Sequence, residues 1–203
     1  MLIEGTDAAH SILASLHLHG REHDATEQDR ARKMLNLDRD SGEFLYFLIR
    51  ATRRRHILEI GTSNGYSAIW LAMALRDMRA PFPLITIDRD RNKLVQAAEN
   101  IRAAGLDEFV ELEHGEAADT VRTLNGPFDC VFFDADRLLA HHQLGALLPK
   151  LCPDCLLVAD NAISHAIELR DYCTLVAELQ GFTSLIVPIG KGLHVAHRLG
   201  NNV

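Results

Sequence analysis

The sequence predicts an α/β fold: a doubly wound, mostly parallel sheet closed by an antiparallel hairpin at its carboxyl end, with helices ahead of it. Three observations carry this expectation. From residue 55 onward short apolar runs alternate with helical segments, the pattern of right-handed βαβ crossovers. The last two runs, "FTSLIVPIG" and "GLHVAHRLG", are joined only by a glycine-containing turn around Lys191, too short for a crossover, so they must pair antiparallel. The first fifty or so residues read as helical, with no strand between the helices.

In chain order, "AHSILASLHLHG" places Leu13 and Leu16 at helical spacing and is expected to end at Gly20. "SGEFLYFLIRAT" reads as a short apolar helix. The runs "HILEIG", "LITID", "FVELEHG", "FDCVFFDAD" and "CLLVADN" are strands, and "KLVQAAENIRAAG" is a helix with Leu94, Ala97, Ala98 and Ile101 on one face. "AIELRDYCTLVAELQG" is the helix before the final hairpin. A chain of 203 residues with 47% hydrophobic content suits one unit over residues 1–203, a helical cap at 1–54 on a core at 55–203.

Composition narrows the function. The net charge of −7, from 28 acids against 21 bases, disfavours a nucleic-acid partner or an anionic membrane surface. "MLIEGTDAAH" has neither a basic leader nor an apolar signal core, and "AIWLAMAL" falls far short of the roughly 20 apolar residues that span a bilayer. A soluble, cytoplasmic protein with no membrane partner is expected. The four cysteines read as reduced thiols, and the Cys152/Cys155 C-x-x-C lacks the second pair that a structural zinc site needs. The 11 histidines are scattered and read mostly as surface residues.

Ligands of open α/β sheets bind beyond the carboxyl ends of the strands. The polar residues there are Glu59, Gly61, Asp88, Gly115, Glu116, Asp134, Asp136, Asp160 and Asn161. The first turn, "LEIGTSNGYSAIWLA", carries Ser63 and Tyr66 where a dinucleotide fingerprint needs glycine, and it has no lysine or arginine to neutralise phosphate. A cofactor with a ribose but no pyrophosphate fits better, which disfavours an NAD-dependent oxidoreductase. Asp88 ends the second strand, 27 residues past Gly61 (88 − 61), where a carboxylate can take both ribose hydroxyls. S-adenosyl-L-methionine meets these terms, because its sulfonium cation is welcome among acids. Asp134 ends one strand, and Asp160 with Asn161 ends the next. Carboxylates that close repel and raise one another's pKa unless a cation lies between them. The three hard-oxygen side chains suit a divalent cation, Mg²⁺ foremost.

"LEIGTSNGYS", "LITIDRD", "HGEAADTV", "FFDADR", "VADN" and "VPIGKGLHVA", in that order, resemble the motifs of class I S-adenosylmethionine-dependent methyltransferases, and within them the metal-dependent O-methyltransferases that include catechol and caffeoyl-CoA O-methyltransferases. The resemblance runs from about Leu35 to the carboxyl terminus. It implies a Rossmann-like sheet of seven strands. It implies cofactor contacts at Glu59, Gly61, Thr62, Ser67, Asp88, Ala117 and Asp134, with Arg89, Gly115 and Glu116 at the same strand tips, and metal ligands at Asp134, Asp160 and Asn161. The activity implied is methyl transfer to a hydroxyl of a small, catechol-like acceptor, in a homodimer capped by the amino-terminal helices.

Two positions depart from the family pattern. Arg137 stands where a lysine, the proposed base, is usual, and Ala140 where a tyrosine is frequent. Arginine stays protonated, so Arg137 is expected to serve as a fixed charge, with Asp134 as its catalytic companion. His141, His142 and His165 are alternative bases near the rim. The competing readings are a metal-independent methyltransferase acting on another hydroxyl, such as that of a hydroxylated tRNA nucleoside, and a non-catalytic S-adenosylmethionine-binding protein.

Overall fold

The computed structural model describes residues 7–29 and 32–200; the parts of the expected unit at 1–6, 30–31 and 201–203 lie outside them. Helix α1 (Ala8–Thr26) starts at Asp7, whose carboxylate accepts the His10 amide at 3.1 Å. It does not stop at Gly20, as the sequence suggested, but runs six residues further (26 − 20). Gly20 is buried because a Cβ there would come within 2.5 Å of Asn36 Nδ2, which donates to the Leu16 carbonyl at 2.9 Å. The glycine makes room for the returning chain and does not cap the helix.

Helix α2 (Arg39–Thr52) ends at Arg53 in the left-handed region and lies on α3 (Tyr66–Met78). Every residue of α3 from Tyr66 to Leu75 is buried, as its unbroken apolar run requires. Gly42 of α2 leaves the space that the Trp70 indole fills.

The strands are β1 (Ile57–Ile60), β2 (Leu84–Asp88), β3 (Val110–His114), β4 (Phe128–Phe133), β5 (Leu151–Ala159), β6 (Phe182–Val187) and β7 (Leu193–Arg198). They form one seven-stranded sheet in the order β3-β2-β1-β4-β5-β7-β6. The first five are parallel, and β7 runs antiparallel to both its neighbours. Alternate residues feed opposite faces. Ile57, Cys130, Phe132 and Val158 join the core beneath α1 to α3 and α4 (Arg91–Ala103). Leu58, Val131, Phe133 and Leu157 join the core beneath α5 (Ala117–Thr123), α6 (Ala140–Leu147) and α7 (Ala166–Glu178). The chain leaves β1 for β2 on one side and reaches β4 on the other, so the strand order reverses at β1 and a crevice opens at the carboxyl ends of β1 and β4. Among the described residues no helix is long and apolar enough to cross a membrane.

Candidate functional site

At that crevice lies a cavity of about 890 Å³. Its wall includes Gly61, Thr62, Ser67, Asp88, Arg89, Gly115, Glu116, Ala117, Asp134, Arg137 and Asn161; of the expected cofactor and metal residues, Glu59 and Asp160 are set behind it. The topology thus gathers on one wall residues spread over a hundred positions.

The turn between β1 and α3 is shaped by what it must pass. Gly61 has φ +105°, and a Cβ on it would overlap the Asp134 carbonyl and sit 2.9 Å from the Ala135 nitrogen. Gly65, at φ +87°, would place a Cβ 3.2 Å from the Ala97 backbone. The backbone therefore runs flush against the end of β4. Asp88 clamps the turn from the next strand: its Oδ2 accepts the Ser63 amide at 2.8 Å and its Oδ1 the Asp90 amide at 2.9 Å. Each oxygen keeps a second lone pair for a hydroxyl in the cavity.

Glu59 is fully buried inside β1. Its Oε2 accepts the Thr86 hydroxyl at 2.6 Å, Thr86 meets Thr62 at 2.7 Å, and its Oε1 has no hydrogen-bond partner. Burial pushes this carboxyl up to about 7, against the opposing effect of the Ser67 and Thr86 hydroxyls.

Asp134 and Asp160 end the adjacent parallel strands β4 and β5, held in register by the Asp160 amide on the Phe133 carbonyl at 3.1 Å. Asp160 is 2% exposed. Asn161, in the left-handed region at φ +69°, donates from Nδ2 to Asp160 Oδ2 at 2.8 Å, while Asp160 Oδ1 has no partner. Burial raises the Asp134 carboxyl well above its ordinary range, and its neighbours Asp160 and Glu59 raise it further, while Lys191 and Arg137 oppose the shift. Burial carries Asp160 up to about 6. Two crowded carboxyls, one with an orphaned oxygen, and an adjacent carboxamide are a donor set that fits a hard divalent cation. Among the described residues no group of three or more His, Cys, Asp or Glu side chains converges, so this set would rest on two carboxylates plus the carboxamide. The C-x-x-C pair takes no part in such a cluster, and all four cysteines are free thiols.

Arg137 is 14% exposed in its side chain and donates from Nε to Glu168 Oε2 at 2.7 Å. It keeps its charge near Asp134 and Asp160 while being tied to α7. Asp136 caps the turn at Leu138, accepting that amide at 3.1 Å. Of the three candidate histidines only His165 lines the cavity; His141 and His142 stack on each other at 3.9 Å between ring centroids, away from it. Arg89 and Glu116 face each other at 3.7 Å across an exposed rim.

Sequence reasoning missed Met34, Leu35, Asn36 and Leu37, which cover the first turn, with the Ser63 hydroxyl donating to the Met34 carbonyl at 3.0 Å. No motif marks this stretch; only the packing of the cap brings it there. Glu168 and Lys191 were missed as well, and a lysine between two glycines in the hairpin turn was a legible signal for the latter.

Residues 58–162 match the family described as "Methyltransferase domain". A catechol O-methyltransferase of Niastella koreensis is 36% identical over 64% of this chain and 59% of its own length. One of Mycobacterium tuberculosis is 38% identical over 60% of this chain and 54% of its own. The matches thus span little more than half of those relatives. An O-methyltransferase of Streptomyces achromogenes, solved with S-adenosylmethionine and involved in tomaymycin synthesis, superposes with a TM-score of 0.78 at 29% identity, covering 98% of this chain and 93% of that one.

Proposed function

The chain belongs to the methyltransferase-domain family, and from that premise we propose that it is an S-adenosylmethionine-dependent O-methyltransferase acting on a hydroxyl of a small, catechol-like acceptor. The observation that carries the reading is the placement, on one cavity wall, of the glycine turn, the Asp88 clamp, Asp134 and Asn161, with Asp160 directly behind and bonded to Asn161. Names borne by the relatives, catechol O-methyltransferase among them, support the acceptor class.

In this proposal Glu59, Gly61, Thr62, Ser67, Asp88, Arg89, Gly115, Glu116, Ala117 and Asp134 hold the cofactor, which supplies a methyl group on a sulfonium sulfur. Gly61 lets that group lie against backbone, and Asp88 takes the ribose hydroxyls. Asp134, Asp160 and Asn161 would hold a divalent cation, Mg²⁺ by their hard-oxygen chemistry, which when bound would supply Lewis acidity to an acceptor hydroxyl. Arg137 cannot take a proton; its charge, fixed by Glu168, steadies the oxyanion that forms beside Asp134. Leu138 and Leu139 give the mouth an apolar wall for an aromatic ring.

We place this activity in one unit, the cap at 1–54 closing over the core at 55–203, in the cytoplasm, with free thiols as support. We also propose a homodimer. Exposed Leu18 and Phe47 on the cap, and Leu185 and Ile186 on the edge strand β6, support an interface between copies.

The test is methyl transfer to catechols, hydroxycinnamates and tRNA, with Mg²⁺ or with EDTA, beside calorimetry of cofactor binding. Catechol turnover that stops in EDTA while the cofactor still binds is the expected result. Full turnover in EDTA overturns the metal assignment, transfer to tRNA alone overturns the acceptor class, and Asp88→Ala binding the cofactor as tightly as the parent overturns the ribose assignment.

A further inference from the structure

We propose that Lys191, at the tip of the β6–β7 turn, is the specificity-determining cation of the acceptor pocket, and that the acceptors are catechols carrying a carboxylate. The inference rests on the O-methyltransferase reading above and extends it to the substrate class.

The turn is built to hold one side chain at this place. The Lys191 carbonyl accepts the Ile163 and Ser164 amides, both at 3.0 Å, and the Gly192 carbonyl accepts the Ala162 amide at 2.8 Å. These three amides directly follow Asn161, so the hairpin is stitched to the loop that leaves the proposed cation ligands. Its other side abuts the start of α2. A Cβ on Gly190 would fall 2.5 Å from Ser41 Oγ and 2.7 Å from Asp38 Oδ2, and one on Gly192 would fall 2.7 Å from the Ile163 nitrogen. Both glycines have positive φ, +56° and +88°. Neither flanking position tolerates a side chain, and Lys191 is the side chain that the turn offers to the cavity wall.

Its charge is available there. Arg137, which lines the same cavity, is committed to Glu168 at 2.7 Å. The Lys191 ammonium makes no ion pair within 4.0 Å among the described residues, yet its field reaches both Asp134 and Asp160. It therefore keeps three N–H donors for a ligand on this wall. Leu138 and Leu139 line the same end, giving a ring an apolar wall. A flat ring with vicinal oxygens at the acidic centre and an anionic group reaching the ammonium satisfies all of these groups at once. A neutral catechol leaves the lysine with water.

The test compares 3,4-dihydroxybenzoate with 3,4-dihydroxybenzaldehyde, which keeps the ring and hydroxyls but not the charge, on the parent, Lys191→Gln and Lys191→Arg. Methyl-transfer kinetics with S-adenosylmethionine and Mg²⁺ are read beside calorimetric binding of each probe to the protein loaded with S-adenosylhomocysteine. The parent should favour the carboxylate in kcat/KM. Lys191→Gln should lower that preference at least about tenfold, chiefly through KM and the measured affinity, while Lys191→Arg keeps most of it. Cofactor affinity and thermal unfolding show whether each variant is folded. A preference that is equal in parent and Lys191→Gln, or a parent that favours the aldehyde, overturns the assignment of Lys191 and leaves the catechol reading standing. A parent that binds cofactor but neither methylates nor binds either probe overturns the acceptor reading and this inference with it.

Discussion

Replacing Glu59 by Gln should flatten the pH dependence of stability. The carboxyl is fully buried, with one oxygen on the Thr86 hydroxyl and the other unpartnered, and its pKa is pushed from 4.5 to about 7. An acid whose folded-state pKa is raised favours the folded protein only while protonated. Its contribution is complete below the unfolded pKa of 4.5 and is lost as pH rises through the folded pKa of about 7. With about 1.4 kcal/mol per pKa unit, the whole shift corresponds to about 3 kcal/mol, most of which falls between pH 5 and pH 8. Urea unfolding of parent and Glu59→Gln at both pH values reads this directly. Asp134 and Asp160 are present in both proteins, so their own losses largely cancel in the comparison. Glu59 also contributes to the upward shift of Asp134, so its removal can only widen the difference. The parent should lose roughly 2–3 kcal/mol more than the variant between pH 5 and pH 8. Parallel losses would mean that Glu59 is not the uncompensated acid this geometry describes.

Gly61→Ala should destabilise by about 2 kcal/mol or more and reduce cofactor affinity at least about a hundredfold, because φ +105° and the Asp134 carbonyl both exclude a Cβ. Gly145→Ala is the control, since nothing lies within 4 Å of a Cβ there in α6, and calorimetric scans should show it unchanged or slightly more stable. Equal behaviour of the two variants would refute the close-approach argument. Arg137→Ala should lose on the order of 10²-fold in kcat with a confirmed acceptor, whereas Arg137→Lys keeps the charge and much of the rate. Glu168→Gln, which unties the guanidinium without removing it, should cost far less in kcat than Arg137→Ala; an alanine variant with the parent's kcat would make Arg137 structural.

The strands and their polarity were legible in the sequence because each is a short apolar run ending in an acid or a glycine, and period-two burial on both faces leaves little else for "ILEI", "LITID" or "FDCVFF" to be. The hairpin was legible because a turn of a few residues admits no crossover. Gly61, Asp88, Asp134, Asp160 and Asn161 could be named from sequence since a parallel sheet puts every strand end on one edge, so covalent order alone brings them near one another. Tertiary structure decided the rest. That β7 lies between β5 and β6 depends on its burying Leu193, His194 and Ala196 while β6 stays half-buried to exposed throughout, a difference of packing and not of local pattern. Gly20 reads as a helix stop in sequence and acts as a spacer in space, because only the path of the returning chain at Asn36 gives its missing side chain a purpose. The covering of the first turn by Met34 to Leu37, the tie between Arg137 and Glu168, and the docking of the Lys191 carbonyl on the Ile163 and Ser164 amides join residues between 27 and 31 positions apart (191 − 164; 168 − 137). Local propensity carries no information about such contacts, and they exist only once two cores on either face of the sheet have set where each helix and turn must lie.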